Sequence, residues 1–89
     1  MNHFVYMLKS VKDNSTKTYI GYSSNVFKRL ALHNSNKGAR STKGRIWRVI
    51  FKKKFITKSL ALKYEYFLKK NRKLRNFIKD NYEKKNFSI

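Results

Sequence analysis

Two short runs of β-favouring residues, Phe4-Val5-Tyr6-Met7-Leu8 and Lys17-Thr18-Tyr19-Ile20-Gly21, stand on either side of the polar segment Lys12-Asp13-Asn14-Ser15. Aromatic and branched side chains suit a pleated, half-buried surface. Short polar side chains bond to nearby backbone and favour a turn. Two strands joined by so short a loop predict an antiparallel hairpin, which commits the start of the chain to β structure.

Beyond the hairpin the chain is mostly helical in pattern. Ser23, Ser24 and Asn25 offer N-cap oxygens for a helix reaching His33 or Asn34, with Val26, Phe27, Leu30 and Ala31 as its apolar stripe. Asn36-Lys37-Gly38-Ala39 reads as loop, and Lys43 to Lys54 holds a third strand with Trp47, Val49 and Phe51 alternating onto one face. Thr57 or Ser59 can cap a second helix, whose apolar side is Leu60, Ala61, Tyr64, Phe67 and Leu68. A last helix, from about Arg72 to Tyr82, places Leu74, Phe77, Ile78 and Tyr82 together. The order β-β-α-β-α-α predicts an α+β domain, a three-stranded antiparallel sheet flanked by helices.

Eighty-nine residues suit one domain, 1–89, and 7 Phe, 6 Tyr and 1 Trp supply area for a core despite the short length. The absence of Cys excludes disulfides and thiolate zinc sites, and two histidines exclude a His-rich metal cluster. No apolar run is long enough to span a bilayer, and Met1 to Leu8 lacks the basic flank of a signal peptide. A cytoplasmic protein with no membrane role is the expectation. Twenty-three Lys and Arg against 4 acids give a net charge of +19. Such a field attracts polyanions and makes their binding strongly salt-dependent, so DNA, or RNA, is the expected partner.

Against that charge the carboxylates stand out. From Asn14 through Lys79, Glu65 is the only acid among 19 Lys and Arg. A nucleic-acid-binding surface avoids carboxylates, so an isolated one suits a divalent cation. The alternative is a surface Glu paired with Lys69 at i+4. At helical spacing Glu65 lies beside Ala61 and Leu68, on the border of the apolar stripe. Arg29 and His33, four apart, project along one helix edge, where Arg can hold a phosphoryl oxygen and His can move a proton. A phosphate-anchoring Arg and a helix-terminal charged His would explain the same pair. Tyr6 and Tyr19 are either packed core tyrosines or, with cations lowering their pKa, a means of activating water.

Taken in order, Val5-Tyr6, Tyr19-Ile20-Gly21, the segment Asn25 to Leu30 with His33-Asn34, Lys37 to Thr42, and Ser59 to Glu65 with Leu68-Lys69 resemble the GIY-YIG nuclease signature. The likeness runs from about Phe4 to Lys79 and is nearest to the small single-domain branch, related to the nuclease domain of UvrC. The resemblance implies hydrolysis of DNA phosphodiesters with one Mg²⁺ or Mn²⁺ ion. It makes Tyr6 the base or water-positioner, Tyr19 its partner, Arg29 the stabiliser of phosphate charge, His33 an aid to proton transfer and Glu65 the metal ligand. Gly21 would keep the backbone close to the site. Phe-Val-Tyr replaces Gly-Ile-Tyr, Ser41 stands where the branch often has Tyr, and Asn71, Asn76 and Asn81 match a further family Asn only by type.

Lys28, Lys37, Arg40, Lys43, Arg45, Lys69 and Lys70 are the expected nucleic-acid contacts. Contacts to the backbone read no sequence, so selection by DNA structure is expected rather than selection by sequence. The competing reading is a non-catalytic DNA- or RNA-binding module that retains the fold, although binding alone would not require Glu65.

Overall fold

The computed structural model describes residues 2–87, with side chains through Asn81. Strands β1 (His3–Lys12) and β2 (Ser15–Ser23) are followed by helix α1 (Val26–Asn34), strand β3 (Arg48–Phe55), and helices α2 (Lys58–Lys70) and α3 (Arg72–Phe87). The element order is the one expected, and the three strands form an antiparallel sheet in the order β2-β1-β3. Lys12 pairs with Ser15, which leaves Asp13 and Asn14 as a two-residue turn with φ of 50° and 64°. Asp and Asn tolerate that left-handed geometry, and the tight turn matches the twist of the long strands it joins.

Because side chains alternate along a strand, β1 feeds two cores. Val5 and Met7 join Ile20, Ile50, Ala61, Leu68 and Ile78 beneath α2 and α3. Tyr6 and Leu8 join Val26 and Trp47 on the α1 side. Each fully buried aliphatic side chain contributes about 2 kcal/mol.

Four expectations about faces change. Val49 pairs with Leu8 but Phe51 pairs with Met7, so Ile50 is an extra residue in a bulge. The bulge breaks the alternation: Val49 packs with Trp47, while Phe51 packs on the opposite face with Ile50. In α1 the covered side is Val26, Leu30 and His33, whereas Phe27 is 66% exposed and Ala31 faces solvent. In α2, Ala61 and Leu68 are buried but Leu60 and Phe67 are largely exposed. In α3, Ile78 is buried and Phe77 is not; the side chain of Tyr82 lies outside the described residues. The sheet covers a narrower arc of each helix than the apolar residues occupy.

The caps follow the expected chemistry. The Asn25 side chain accepts from Lys28 N at 3.1 Å and starts α1. Thr57, not Ser59, accepts from Leu60 N at 3.2 Å and starts α2.

Candidate active site

On the α1 face, Tyr6 and Tyr19 come from the paired strands β1 and β2, and His33 from the last turn of α1. The Tyr19 ring centroid is 4.8 Å from that of His33, and the Tyr6 ring lies 6.3 Å from Tyr19. Tyr6 Oη lies 3.0 Å from His33 Nε2, and His33 Nδ1 lies 2.9 Å from Thr42 Oγ1. The Thr42 hydroxyl donates to the carbonyl of Ala39 at 2.7 Å. Its one proton is thereby used, so it accepts from Nδ1–H of His33. The Nε2 of His33 is left with a lone pair, and Tyr6 Oη donates to it. The loop alone settles the tautomer.

Burial sets the charge states. His33 is 1% exposed, and loss of solvation, helped by the positive charge of Arg29, holds its pKa below the usual imidazole range. It is a neutral acceptor, not a charged helix-terminal group. Tyr6 is also 1% exposed. Of the two readings open for it, a phenolate favoured by cations is not the one that holds: desolvation dominates and pushes its pKa far above the ordinary phenol range, and Tyr19 and Glu65 push it the same way, against Arg29. Tyr6 is therefore a phenol with a ready acceptor for its proton.

Two glycines make the packing possible. A Cβ on Gly21 would lie 2.5 Å from Tyr6 Oη. A Cβ on Gly38 would collide with Nδ1 of His33. Neither position can carry a side chain without displacing a ring.

The segment from Asn36 to Trp47 closes around His33. Asn34 Oδ1 accepts from Trp47 N at 2.6 Å while its Nδ2 donates to Trp47 O at 3.1 Å. Trp47 Nε1 donates to Thr42 O at 2.8 Å. Gly38, Thr42 and Asn34 are site-building residues that the sequence reading placed within motif segments but gave no role. The one available signal was a loop glycine followed by adjacent hydroxyl residues, and it does not distinguish Ser41, which is exposed, from Thr42, which is fully buried.

Arg29 and Glu65 reach this cluster by charge. Arg29 is exposed on α1 and acts on both Tyr6 and His33; Glu65 on α2 acts on Tyr6. The Glu65 side chain is 18% exposed, as its border position implies, and Oε2 lies 3.4 Å from Lys69 Nζ. Lys28, Lys37, Arg40 and Lys43 are exposed, and Lys70 lies over the ring of Tyr66. Arg45 is occupied differently. Its Nη1 donates to Ser10 O and Ser15 O, both at 3.3 Å, and its Nη2 to Ser15 Oγ at 3.0 Å, so it braces the hairpin. Asn71 accepts from Leu74 N at 3.0 Å, and Asn81 donates to Phe77 O at 2.9 Å; neither bond involves the cluster.

Residues 2–83 match the family model described as the GIY-YIG catalytic domain. The chain belongs to the GIY-YIG family. It is 46% identical over 70 residues to the UPF0213 protein YazA of Bacillus subtilis, covering 78% of this chain and 68% of that one. It is 44% identical over 68 residues to the UPF0213 protein OB0043 of Oceanobacillus iheyensis, covering 75% and 76%. The solution NMR structure of the UPF0213 protein BH0048 from Bacillus halodurans shares 37% identity with a TM-score of 0.50, over 91% of this chain and 86% of that one. GIY-YIG domains are nuclease domains, and their substrate is nucleic acid. Among the described residues no helix is long and apolar enough to cross a membrane.

Proposed function

We propose that this GIY-YIG chain, as one domain over 1–89, is a DNA endonuclease that depends on a divalent metal and selects DNA structure more than sequence. The observation that carries this reading is the bond from Tyr6 Oη to a neutral His33 Nε2 whose tautomer is fixed by Thr42. A buried phenol is a poor base by itself, but one that can hand its proton to imidazole can take another from water.

In the proposed reaction, water loses a proton to Tyr6 Oη as Tyr6 passes its own to His33 Nε2. The hydroxide attacks phosphorus, the bond to the leaving oxygen breaks, and that oxygen is protonated from solvent. Tyr19 packs against the imidazole and holds its plane. Arg29 opposes the negative charge that grows on the phosphoryl oxygens.

No group of three or more His, Asp or Glu residues that could hold a metal exists among the described residues. A lone, partly buried carboxylate nevertheless fits Mg²⁺ or Mn²⁺, because a hard cation of this size keeps several waters and takes further oxygens from phosphate. Glu65 would hold it in place of its contact with Lys69. When bound, such an ion neutralises phosphate and leaving-oxygen charge. Lys28, Lys37, Arg40, Lys43, Lys69 and Lys70 would engage the DNA backbone, and a cytoplasmic setting with access to DNA suits these roles.

Branched, nicked and single-stranded DNA incubated with Mg²⁺ or Mn²⁺ should be cut by the wild type. Cleavage should fall at least about a hundredfold in Tyr6→Phe and in Glu65→Ala. Binding without cleavage above the Glu65→Ala level in either metal would sink the nuclease reading and leave a non-catalytic binding module.

A further inference from the structure

On the sheet face opposite Tyr6, the start of β2 and the first half of α3 enclose a hollow of about 220 Å³, lined by Thr16, Thr18, Arg72, Arg75, Asn76 and Lys79. Strand alternation turns Thr16 and Thr18 the same way as Ile20, which belongs to the core under α2 and α3, whereas Tyr19 packs on the α1 side. Every lining side chain carries a hydrogen-bond donor, three are cations, and no carboxylate lines the hollow.

One of the cations is fixed. Arg75 Nη1 donates to Leu68 O at 3.0 Å and to Lys69 O, at the end of α2, which leaves Nη2 and Nε free of those bonds. Neither Arg72 nor Lys79 has an ion pair or side-chain hydrogen bond among the described residues. Asp80, the next residue along, is exposed and acts on Lys9. Positive charge alone would not distinguish this hollow in a chain of net charge +19. Two hydroxyls set beside a held guanidinium do, because they supply short-range donors in a fixed geometry.

We propose that this hollow is a second phosphate site, which seats a backbone phosphate of the bound nucleic acid on the face opposite the bond being cut. Since β2 is an edge strand, a nucleic-acid strand leaving the α1 face reaches the hollow by rounding that edge. Lys17, exposed between the two threonines, lies on this path. The proposal rests on the nucleic-acid half of the proposed function and not on cleavage.

Binding of a labelled 20-nucleotide single strand to the full chain, in EDTA and over a range of salt, tests it. Arg72→Gln with Lys79→Gln should weaken binding about tenfold and reduce the salt slope by about 0.7, the value for one phosphate contact on a single strand. Lys58→Gln with Lys63→Gln, an equal loss of charge elsewhere, should change binding by no more than about twofold. Thr18→Val keeps charge and shape and should weaken binding about threefold. In the wild type, both the oligonucleotide and inorganic phosphate should shift the backbone amide NMR signals of Thr16, Thr18 and Asn76.

Equal losses in the two double variants, with Thr18→Val matching the wild type, would overturn the site in favour of a diffuse field. Shifts with inorganic phosphate but none with DNA would assign the hollow to a small free anion and overturn the nucleic-acid assignment. A wild type that shows the expected binding differences yet cuts nothing would remove the nuclease reading and leave this site standing.

Discussion

Under α2 and α3, β1 contributes Val5 and Met7 to a core with Ile20, Ile50, Ala61, Leu68 and Ile78, none of which carries a side-chain nitrogen or oxygen. Turned the other way, the same strand places Tyr6 against His33, Gly21 and Tyr19, and each polar atom of the Tyr6-His33-Thr42 chain has a named partner. The first face holds the fold by area, and small errors of shape spread over many contacts. The second holds atoms in place, where losing one partner leaves another unpaired in a dry environment. Stability and the proposed reaction geometry are thus separated by the pleat of a single strand.

The sharpest test of that separation pairs one variant from each face. Tyr6→Phe should slow cleavage about a thousandfold, equivalent to about 4 kcal/mol of barrier, while costing only about 1–2 kcal/mol of stability through the orphaned His33 Nε2. Leu68→Ala should cost about 3 kcal/mol in urea unfolding, with the rate per folded molecule within about twofold of the wild type. If Leu68→Ala slowed the chemistry of folded protein as much as Tyr6→Phe does, the two faces would not be separable. Thr42→Val removes the acceptor for His33 Nδ1–H and, with it, the donor to Ala39 O. It should cost about tenfold in rate and about 1 kcal/mol in stability, with ¹⁵N NMR showing mixed His33 tautomers; a single unchanged tautomer would mean the ring is held by packing alone.

The smallest effect is on acid stability. His33 has a folded pKa below its unfolded value of about 6.5, so the unfolded chain takes up a proton that the folded chain refuses. The stability it contributes is present above pH 6.5 and is lost as pH falls from there toward the folded pKa. Melting temperatures measured from pH 8 to pH 5 should therefore decline, and His33→Gln should flatten that decline.

Much of this arrangement was readable from local chemistry. The hairpin, its turn at Asp13-Asn14, the helix caps at Asn25 and Thr57, and the order of elements depend on neighbours in sequence. Glu65 was readable as a border residue because helical geometry fixes its neighbours at three and four places. What escaped was decided across the fold. The bulge at Ile50 moves Phe51 to the far face, which no alternation pattern contains. That burial would hold Tyr6 as a phenol depended on how closely Gly21 lets its ring approach the neighbouring backbone. The roles of Gly38 and Thr42 exist only once the loop has closed on His33.

That closure has a consequence for variation. With both polar ends of the Asn34 side chain bonded to the backbone of Trp47, the segment between them behaves as a ring whose ordering is largely met at a single clasp. Thr42 points inward from the ring, while Lys37, Arg40 and Lys43 stand on its outer rim. Residues on the rim can change without moving the inner hydroxyl. Under the proposed function, substitutions on the rim would alter the grip on nucleic acid and leave the proton path from Tyr6 to His33 unchanged.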